Sequence, residues 1–297
     1  MEGANFYKFN NNYFVQGHIY NAWAPTTGML FNGDPTGRVL FTYQSPDFVH
    51  WTEAPAFSFA RHGYRSGAPG AVEEAHTASG AWNRGNVLVS PYLQWHGSKE
   101  IDSRWMDVGL LVSNDGIHFR EPVPDFQLIS RGEKGTWEGG SLWGVSFVNV
   151  GDKTFIYYSG LDGGGSTAIG RGDIGLATLE RDRFGYLSLK DARETGQLMT
   201  SGLELGEKAK IFANADGVDT NVSIRFGLLD ERYQPIRGYT LKDCIPLVTS
   251  GLRQAVTWKR GGVIQGLAGK RVYLQAEFQG SGGKSPRLFA IYLESIR

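Results

Sequence analysis

The sequence has a single cysteine, Cys244, and no excess of either charge, since 30 lysines and arginines balance 30 aspartates and glutamates. One cysteine excludes an intrachain disulfide and any metal site built from several cysteines. Zero net charge argues against a nucleic-acid binder or a polybasic membrane-surface protein, because both usually carry a basic excess. No apolar run approaches the roughly 18–20 residues of a membrane span. The first residues, MEGANFYKF, show no signal-peptide pattern, so the compartment stays open.

Glycine and aromatic residues are abundant where charge is scarce. The 297 residues include 41 Gly, 8 Trp, 13 Tyr and 17 Phe, and only 20% are charged. Glycine mixed with aromatics predicts short strands joined by tight turns, and no segment shows the pattern of a useful helix. The length exceeds one typical domain. We therefore expect an all-β protein with two domains.

Three segments of the first 190 residues end alike, at 38–51, 107–119 and 173–184. Ser45 and Ser113 are 68 residues apart, and Gly109 and Gly175 are 66 residues apart. Each ending follows an apolar hairpin, with turns at residues 10–12, 83–85 and 151–152. A hairpin, a third strand, a polar turn and an aromatic edge strand make one four-stranded blade. Residues 1–190 are therefore predicted to form three β-propeller blades.

The pattern changes after about residue 191. About seven short strands with two-residue alternation follow over roughly 100 residues, which is typical of a β-sandwich. Residues 191–297 are therefore predicted to form a β-sandwich domain. Its strands show no aromatic platform, so we expect it to support the last blade.

Three stretches carry a resemblance to a known family. They are Ser45-Pro-Asp-Phe-Val-His-Trp51, Gly135-Thr-Trp-Glu-Gly-Gly140 and the tail from Gly196 to Val272. Together they resemble glycoside hydrolase families 32 and 43, the furanosidase-type enzymes. The resemblance implies a five-bladed propeller followed by a sandwich, acting on a furanoside-type glycan without a cofactor. Ser113-Asn-Asp-Gly-Ile-His-Phe119 also resembles the Asp-box of sialidases, a device that stabilises a turn.

The sequence departs from that family at its catalytic motifs. Neither an Asn-Asp-Pro-type nor an Arg-Asp-Pro-type motif is present, and the only Asp-Pro is Asp34-Pro35. Three blades are visible where five are expected, so the chain looks like the closing part of a longer protein. We expect either a glycosidase using a carboxylate general acid in a central pocket, or a non-catalytic carbohydrate-binding propeller. A protein-interaction propeller is disfavoured, because no apolar patch is evident.

In such propellers the innermost strand of each blade begins near the central pocket. Glu74 and Glu138 stand at two such beginnings and are the predicted catalytic carboxylates. Glu74 and His76 share one face of an extended segment, which suits a general acid beside a hydrogen-bonding imidazole. Counting the third repeat as the last blade also makes Glu74 the better match to the acid of the family that the sequence resembles, so Glu74 is preferred over Glu138. Each glutamate also has a plain explanation, as a solvated or backbone-capping loop residue.

Seven residues are predicted to bind the carbohydrate substrate, because aromatic rings suit sugar faces and polar groups suit hydroxyls. They are His18, Trp23, His76, Arg84, Trp95, Asp107 and Trp137. Each of these residue types also has an explanation without a substrate. Aromatic residues fill gaps between blades, and a turn arginine such as Arg84 is often solvated. Asp107 could bond turn amides. The histidines lack the spacing of metal ligands, so no metal or cofactor is predicted. The oligomeric state is open.

Overall fold

The computed structural model describes residues 2–20, 38–61, 73–78, 80–96, 104–163 and 170–296. Regular structure in these residues is entirely β-strand, so the predicted all-β class is confirmed. None of the described segments is a helix able to cross a membrane. Two compact units are present, the first comprising 1–148 and 155–177 and the second 149–154 and 178–297. The predicted boundary between residues 190 and 191 stays a prediction.

The three repeats supply the first twelve strands along the chain. They are β1 (Glu2–Phe9), β2 (Asn12–Tyr20), β3 (Arg38–Ser45), β4 (Ala56–Phe59), β5 (Glu74–Thr77), β6 (Trp82–Asn83), β7 (Leu88–His96), β8 (Trp105–Ser113), β9 (Gln127–Ile129), β10 (Ser141–Val150), β11 (Lys153–Leu161) and β12 (Gly172–Glu180). The order β1-β2-β3-β4 makes one antiparallel meander, and β5-β7-β8-β9 makes a second. The first two repeats thus form the four-stranded blades that the sequence predicts.

The third repeat differs from the other two. Its described residues form three strands, β10-β11-β12, and β10 joins β8 through one parallel pair, Ser141 with Met106. The edge strand of the first blade also differs from expectation. The edge strand is β4, which pairs with β3. The segment ending at Trp51, where the sequence predicts the edge strand, is held in a turn and pairs with no strand.

One turn recurs in all three repeats. Phe48, Gly116 and Asp182 have left-handed backbones, with φ of 69°, 85° and 61°, at spacings of 68 and 66 residues. In the second repeat Oδ1 of Asp115 accepts the N–H groups of Ile117 and His118, both at 2.8 Å. Asp47 does the same in the first repeat. The Asp-box resemblance therefore corresponds to a real turn, which ends the third strand of each of these two blades.

Strand register places the beginnings of β5, β8 and β10 and the end of β7 side by side. Glu74 of β5 pairs with Trp95 of β7, Trp95 pairs with Met106 of β8, and Met106 pairs with Ser141 of β10. Adjacent strands lie about 4.8 Å apart, so the row extends over roughly 14 Å from Glu74 to Ser141. Glu138 precedes Ser141 by three residues. The predicted catalytic residues therefore lie near the two ends of this row.

The second unit is a β-sandwich, as predicted. Its strands are β13 (Thr195–Met199), β14 (Leu203–Glu204), β15 (Lys208–Asp216), β16 (Ser223–Leu229), β17 (Cys244–Ile245), β18 (Gly251–Ala255), β19 (Thr257–Trp258), β20 (Ile264–Gln265), β21 (Arg271–Gln279) and β22 (Arg287–Ile296). Strand β21 is central to one sheet, between β13 and β16, and β15 is central to the other. Alternate residues of β21 are buried in a core that includes Phe226 and Trp258.

Candidate functional site

Glu74 lies at the beginning of β5 with a buried, ion-paired carboxylate. Its Oε2 lies 3.0 Å from Nη1 of Arg38 and 2.8 Å from Nε2 of His76. Burial alone would raise the pKa of Glu74, but His76 and Arg38 outweigh it and lower the pKa. The predicted pairing of Glu74 with His76 on one strand face is therefore present, and the carboxylate is ionised.

His76 is enclosed by two aromatic rings. The indole of Trp95 stacks on it at 4.9 Å with 5° between the planes, and the His18 ring lies at 4.5 Å. Trp95 is only 3% exposed, so its ring orients His76. Nδ1 of His18 accepts the Thr77 N–H at 3.2 Å, while burial, with the neighbouring charges, lowers the pKa of His18 to about 3. The structure thus brings together four predicted residues, with His18 neutral.

Glu73 points to the opposite face of the chain and forms a second network. Its Oε2 lies 2.8 Å from both Nη2 of Arg61 and Nδ1 of His96. His96 also approaches Asp107, with 3.4 Å between Nε2 and Oδ2. Burial lowers the pKa of His96, but Asp107 and Glu73 outweigh it, so the net shift is upward. This network holds the buried side chains of Arg61 and His96 around the Glu73 carboxylate.

Asp107, a predicted substrate contact, bonds the loop that follows its blade. Oδ1 accepts the Arg131 N–H at 2.7 Å, and Oδ2 accepts from Nε2 of Gln127 at 3.1 Å. Bonding of loop amides was the alternative explanation for this residue. Its contact with substrate stays a prediction.

Glu138 lies in the third repeat and is more accessible than Glu74. The Tyr158 hydroxyl donates a 2.7 Å hydrogen bond to its Oε2. The Trp137 ring stacks beside Tyr158, with centroids 5.9 Å apart and 23° between the planes. All three side chains are half-buried. Burial and the adjacent Glu138 raise the pKa of Tyr158 to about 12, so the hydroxyl keeps its proton and donates.

Two glycines allow this close packing. A Cβ on Gly160 would lie 2.7 Å from Cβ of Glu138 and 2.7 Å from the Trp137 ring. A Cβ on Gly175 would lie 2.4 Å from Cζ of Tyr158. Larger residues at either position would displace the aromatic pair. The arrangement of Trp137, Glu138 and Tyr158 thus depends on residues from β11 and β12.

One predicted binding residue, Arg84, lies away from Glu74. Arg84 follows β6 in a hairpin turn, where its guanidinium covers the Trp82 ring at 4.3 Å. Asn83, the residue before Arg84, pairs with Leu88 of β7. Leu88 is seven residues from Trp95 along this strand, a distance of roughly 23 Å. Arg84 is therefore not part of the Glu74 cluster. Trp23 lies outside the described residues.

Some polar partners were missed by sequence reasoning. Arg38 pairs with Glu74 over 36 residues of chain, and Tyr158 pairs with Glu138 over 20. Arg61 and His96 were not predicted to hold Glu73. No local spacing relates these residues, because strand pairing and blade packing bring them together. In the described part of the chain, no group of three or more His, Cys, Asp or Glu residues could hold a metal ion.

No family model matches the sequence, and no curated protein matches it. Solved structures with similar backbones include glycoside hydrolases. An N-acetylgalactosamine deacetylase from F. plautii matches at 12% identity and a TM-score of 0.40, covering 61% of this chain and 50% of that one. A glycoside hydrolase of family 32 from Bifidobacterium adolescentis matches at 9% identity and a TM-score of 0.33, covering 98% of this chain and 79% of that one. A xylan β-1,4-xylosidase from Bacillus halodurans matches at 10% identity and a TM-score of 0.32, covering 98% of this chain and 76% of that one.

These similarities are remote. This chain spans 45 to 50% of the length of three of the similar proteins. With TM-scores below 0.5, the architecture of this chain rests on its own strand pairing. What those proteins bind or cleave is a property of each of them.

Proposed function

We propose that this chain is a glycoside hydrolase-like protein that binds a glycan at Trp137, Glu138 and Tyr158. The observation that carries the proposal is the half-buried Glu138, held by the Tyr158 hydroxyl beside two stacked rings. Aromatic faces pack against the apolar face of a sugar ring, and a carboxylate accepts from its hydroxyls. The family resemblance points to a furanoside-type glycan as the substrate class.

Hydrolysis of a glycoside needs one carboxyl group that donates a proton and one that acts as base or nucleophile, about 5–9.5 Å apart. Glu74 and Glu138 lie near the ends of a backbone row roughly 14 Å long, so this role requires both side chains to reach inward across the row. Glu74 is buried and held ionised by Arg38 and His76, which suits the base or nucleophile. Glu138 has no cation among its described contacts and is more accessible than Glu74, which suits the proton donor better. We therefore assign the acid to Glu138 and the ionised role to Glu74, the reverse of the order that the sequence favours.

Leaving-group chemistry tests these roles. A 2,4-dinitrophenyl furanoside needs no protonation to depart, whereas an alkyl furanoside does. Glu138→Gln should lower kcat on the alkyl substrate by about 10²- to 10⁴-fold and largely spare the dinitrophenyl substrate. Glu74→Gln should abolish turnover of both. The matched control is Glu53→Gln, an exposed glutamate of the first unit, which should change neither. Loss of dinitrophenyl turnover in Glu138→Gln, with Glu74→Gln active, would reverse the assignment.

Non-catalytic carbohydrate binding is the second candidate. It is favoured by the absence of the Asn-Asp-Pro-type and Arg-Asp-Pro-type motifs. In that case the wild-type protein should turn over neither furanoside, and glycan should still quench tryptophan fluorescence. Trp137→Ala should remove the quenching, and Trp51→Ala, a change in the turn of the first blade, should not. A wild-type protein showing neither turnover nor quenching would contradict both candidates.

A further inference from the structure

The outer face of the β13-β21-β16 sheet in the sandwich carries side chains suited to a ligand. Tyr273, Gln275 and Glu277 alternate along β21 on this face, while the residues between them are buried in the core. Residues two apart on a strand are roughly 6.8 Å apart. One strand therefore presents an aromatic ring, an amide and a carboxylate in a straight line.

A second tyrosine enlarges the aromatic end of this line. The Tyr233 ring lies 4.6 Å from the Tyr273 ring, with 34° between their planes. Tyr233 is 53% exposed, and Tyr273 is half-buried. Tyr233 belongs to a turn in which its N–H donates to the carbonyl of Asp230 at 2.9 Å. Two rings from different segments thus form one accessible aromatic surface.

The polar end of the line is ordered by hydrogen bonds. Nε2 of Gln275 donates to Oε1 of Gln197 at 2.9 Å, and Nε2 of Gln197 donates to Oε2 of Glu277 at 3.0 Å. Gln197 is exposed, and Gln275 and Glu277 are half-buried. The side chains are therefore preorganised, while each amide keeps hydrogen-bonding capacity for a further partner.

The charge on this face is balanced. Glu277 stands opposite the exposed Arg225 of β16, and the exposed Arg271 of β21 stands opposite the exposed Glu204 of β14. A balanced surface of amides favours a neutral, polyhydroxylated ligand over a charged one. Paired aromatic rings favour a ligand that also has apolar ring faces. A neutral glycan chain combines both properties.

We propose that this face of the sandwich is a second carbohydrate-binding site, which takes a neutral polysaccharide on Tyr233 and Tyr273 and along Gln275, Gln197 and Glu277. The site is independent of Glu138 and does not rest on the chemistry of the first unit. It corrects the expectation that the sandwich has no aromatic platform. The platform joins a turn residue to a strand residue 40 positions later, so no single strand displays it.

Electrophoresis of the full chain in native gels tests the site. The gels contain arabinan, xylan or inulin as neutral probes, and polygalacturonate as a charged one. At least one neutral polysaccharide should retard the wild-type protein. Tyr273→Ala should weaken that retardation, with a dissociation constant raised about fivefold or more, because a ring contact is worth roughly 1 kcal/mol.

Tyr233→Gly separates binding from folding. Tyr233 has φ of 60°, a conformation that glycine adopts without strain. This variant should keep the thermal stability of the wild-type protein and be retarded less than the wild type. The matched control is Tyr186→Ala, because Tyr186 is a 55% exposed tyrosine of the same unit that also stacks on an aromatic ring, that of Phe289. It should be retarded like the wild type.

Several outcomes would overturn the proposal. Wild-type protein retarded by no neutral polysaccharide, or Tyr233→Gly and Tyr273→Ala retarded like the wild type, would do so. Dimerisation abolished by Tyr273→Ala, without retardation, would show that the face binds a second copy instead. Furanoside turnover and Trp137-dependent fluorescence quenching report on the first site, and the retardation that Tyr233→Gly removes reports on this one, so failures of the two sites are distinguishable.

Discussion

Glu73 and Glu74 are consecutive residues whose carboxylates bind different cations. Glu73 pairs with Arg61 and His96, and Glu74 pairs with Arg38 and His76. The extended backbone causes this division, because neighbouring side chains leave a strand on opposite sides. One dipeptide therefore anchors two buried networks in the first unit.

Removing either carboxylate should destabilise the protein, and the loss in the free energy of unfolding should be larger for Glu73 than for Glu74. Glu73→Gln removes a buried carboxylate from both His96 and Arg61, and leaves Arg61, only 1% exposed, with Glu121 and Asp125. We expect the free energy of unfolding to fall by about 3 kcal/mol, and by about 2 kcal/mol for Glu74→Gln, because the Arg38 side chain is 15% exposed. Urea denaturation measures both, with Glu53→Gln as the control. Equal stability of Glu73→Gln and wild type would contradict a buried ion pair there.

Two buried histidines should give the stability opposite dependences on pH. His18 has its pKa lowered to about 3, chiefly by burial, so its contribution is complete above about pH 6.5 and is lost as pH falls toward 3. His96 has a raised pKa, so its contribution is complete below about pH 6.5 and is lost as pH rises through that raised pKa. Stability measured against pH should peak between these limits. His18→Gln should flatten the acid limb, and His96→Gln the alkaline one. The reverse assignment of limbs would refute the two charge states.

The Asp115 carboxylate of the Asp-box turn should contribute about 1 kcal/mol to the free energy of unfolding. Asp115→Ala removes the acceptor for two backbone N–H groups, a loss comparable to that of a helix cap. Hydrogen bonds from His118 and the turn amides outweigh partial burial and lower the pKa of Asp115 to about 2. This contribution is therefore present above about pH 4 and is lost as pH falls toward 2. Thermal unfolding checks both effects. An Asp115→Ala protein whose stability matches wild type near neutral pH would show that the turn forms without the carboxylate.

Tyr158 should position Glu138 through its hydroxyl alone. Tyr158→Phe keeps the ring against Trp137 and removes the 2.7 Å hydrogen bond. We expect glycan affinity or kcat/KM to fall by about tenfold, the worth of one hydrogen bond. Tyr157→Phe is the matched control, since that neighbouring tyrosine packs against Phe155 instead. Equal effects of the two substitutions would argue against a positioning role.

Gly175 should be required for the same arrangement. Gly175→Ala places a methyl group 2.4 Å from Cζ of Tyr158, so the ring must move. We expect a loss of about 2 kcal/mol in stability together with weaker glycan binding. Gly185→Ala is the control, because nothing lies within 4 Å of its added Cβ. A Gly175→Ala protein with wild-type binding would show that Tyr158 tolerates displacement.

Much of the fold is predictable from the sequence because it is encoded locally. Alternation, turn residues and the repeat spacing predict the all-β class and the blade hairpins, and Glu74 with His76 follows from two-residue periodicity alone. The number of strands in the third repeat and the position of the edge strand β4 were not predictable, because the pairing of an edge strand depends on which neighbouring strand is available.

The sequence by itself determined which residues could do carbohydrate chemistry, since residue type sets the acids, imidazoles and rings. Only the tertiary structure decided their environments. It buried Glu74 against Arg38, left Glu138 half-buried under Tyr158, and placed Arg84 at the far end of β7. It also joined Tyr233 to Tyr273. The physical reason is that ionisation and accessibility depend on contacts between distant segments, which no local spacing records.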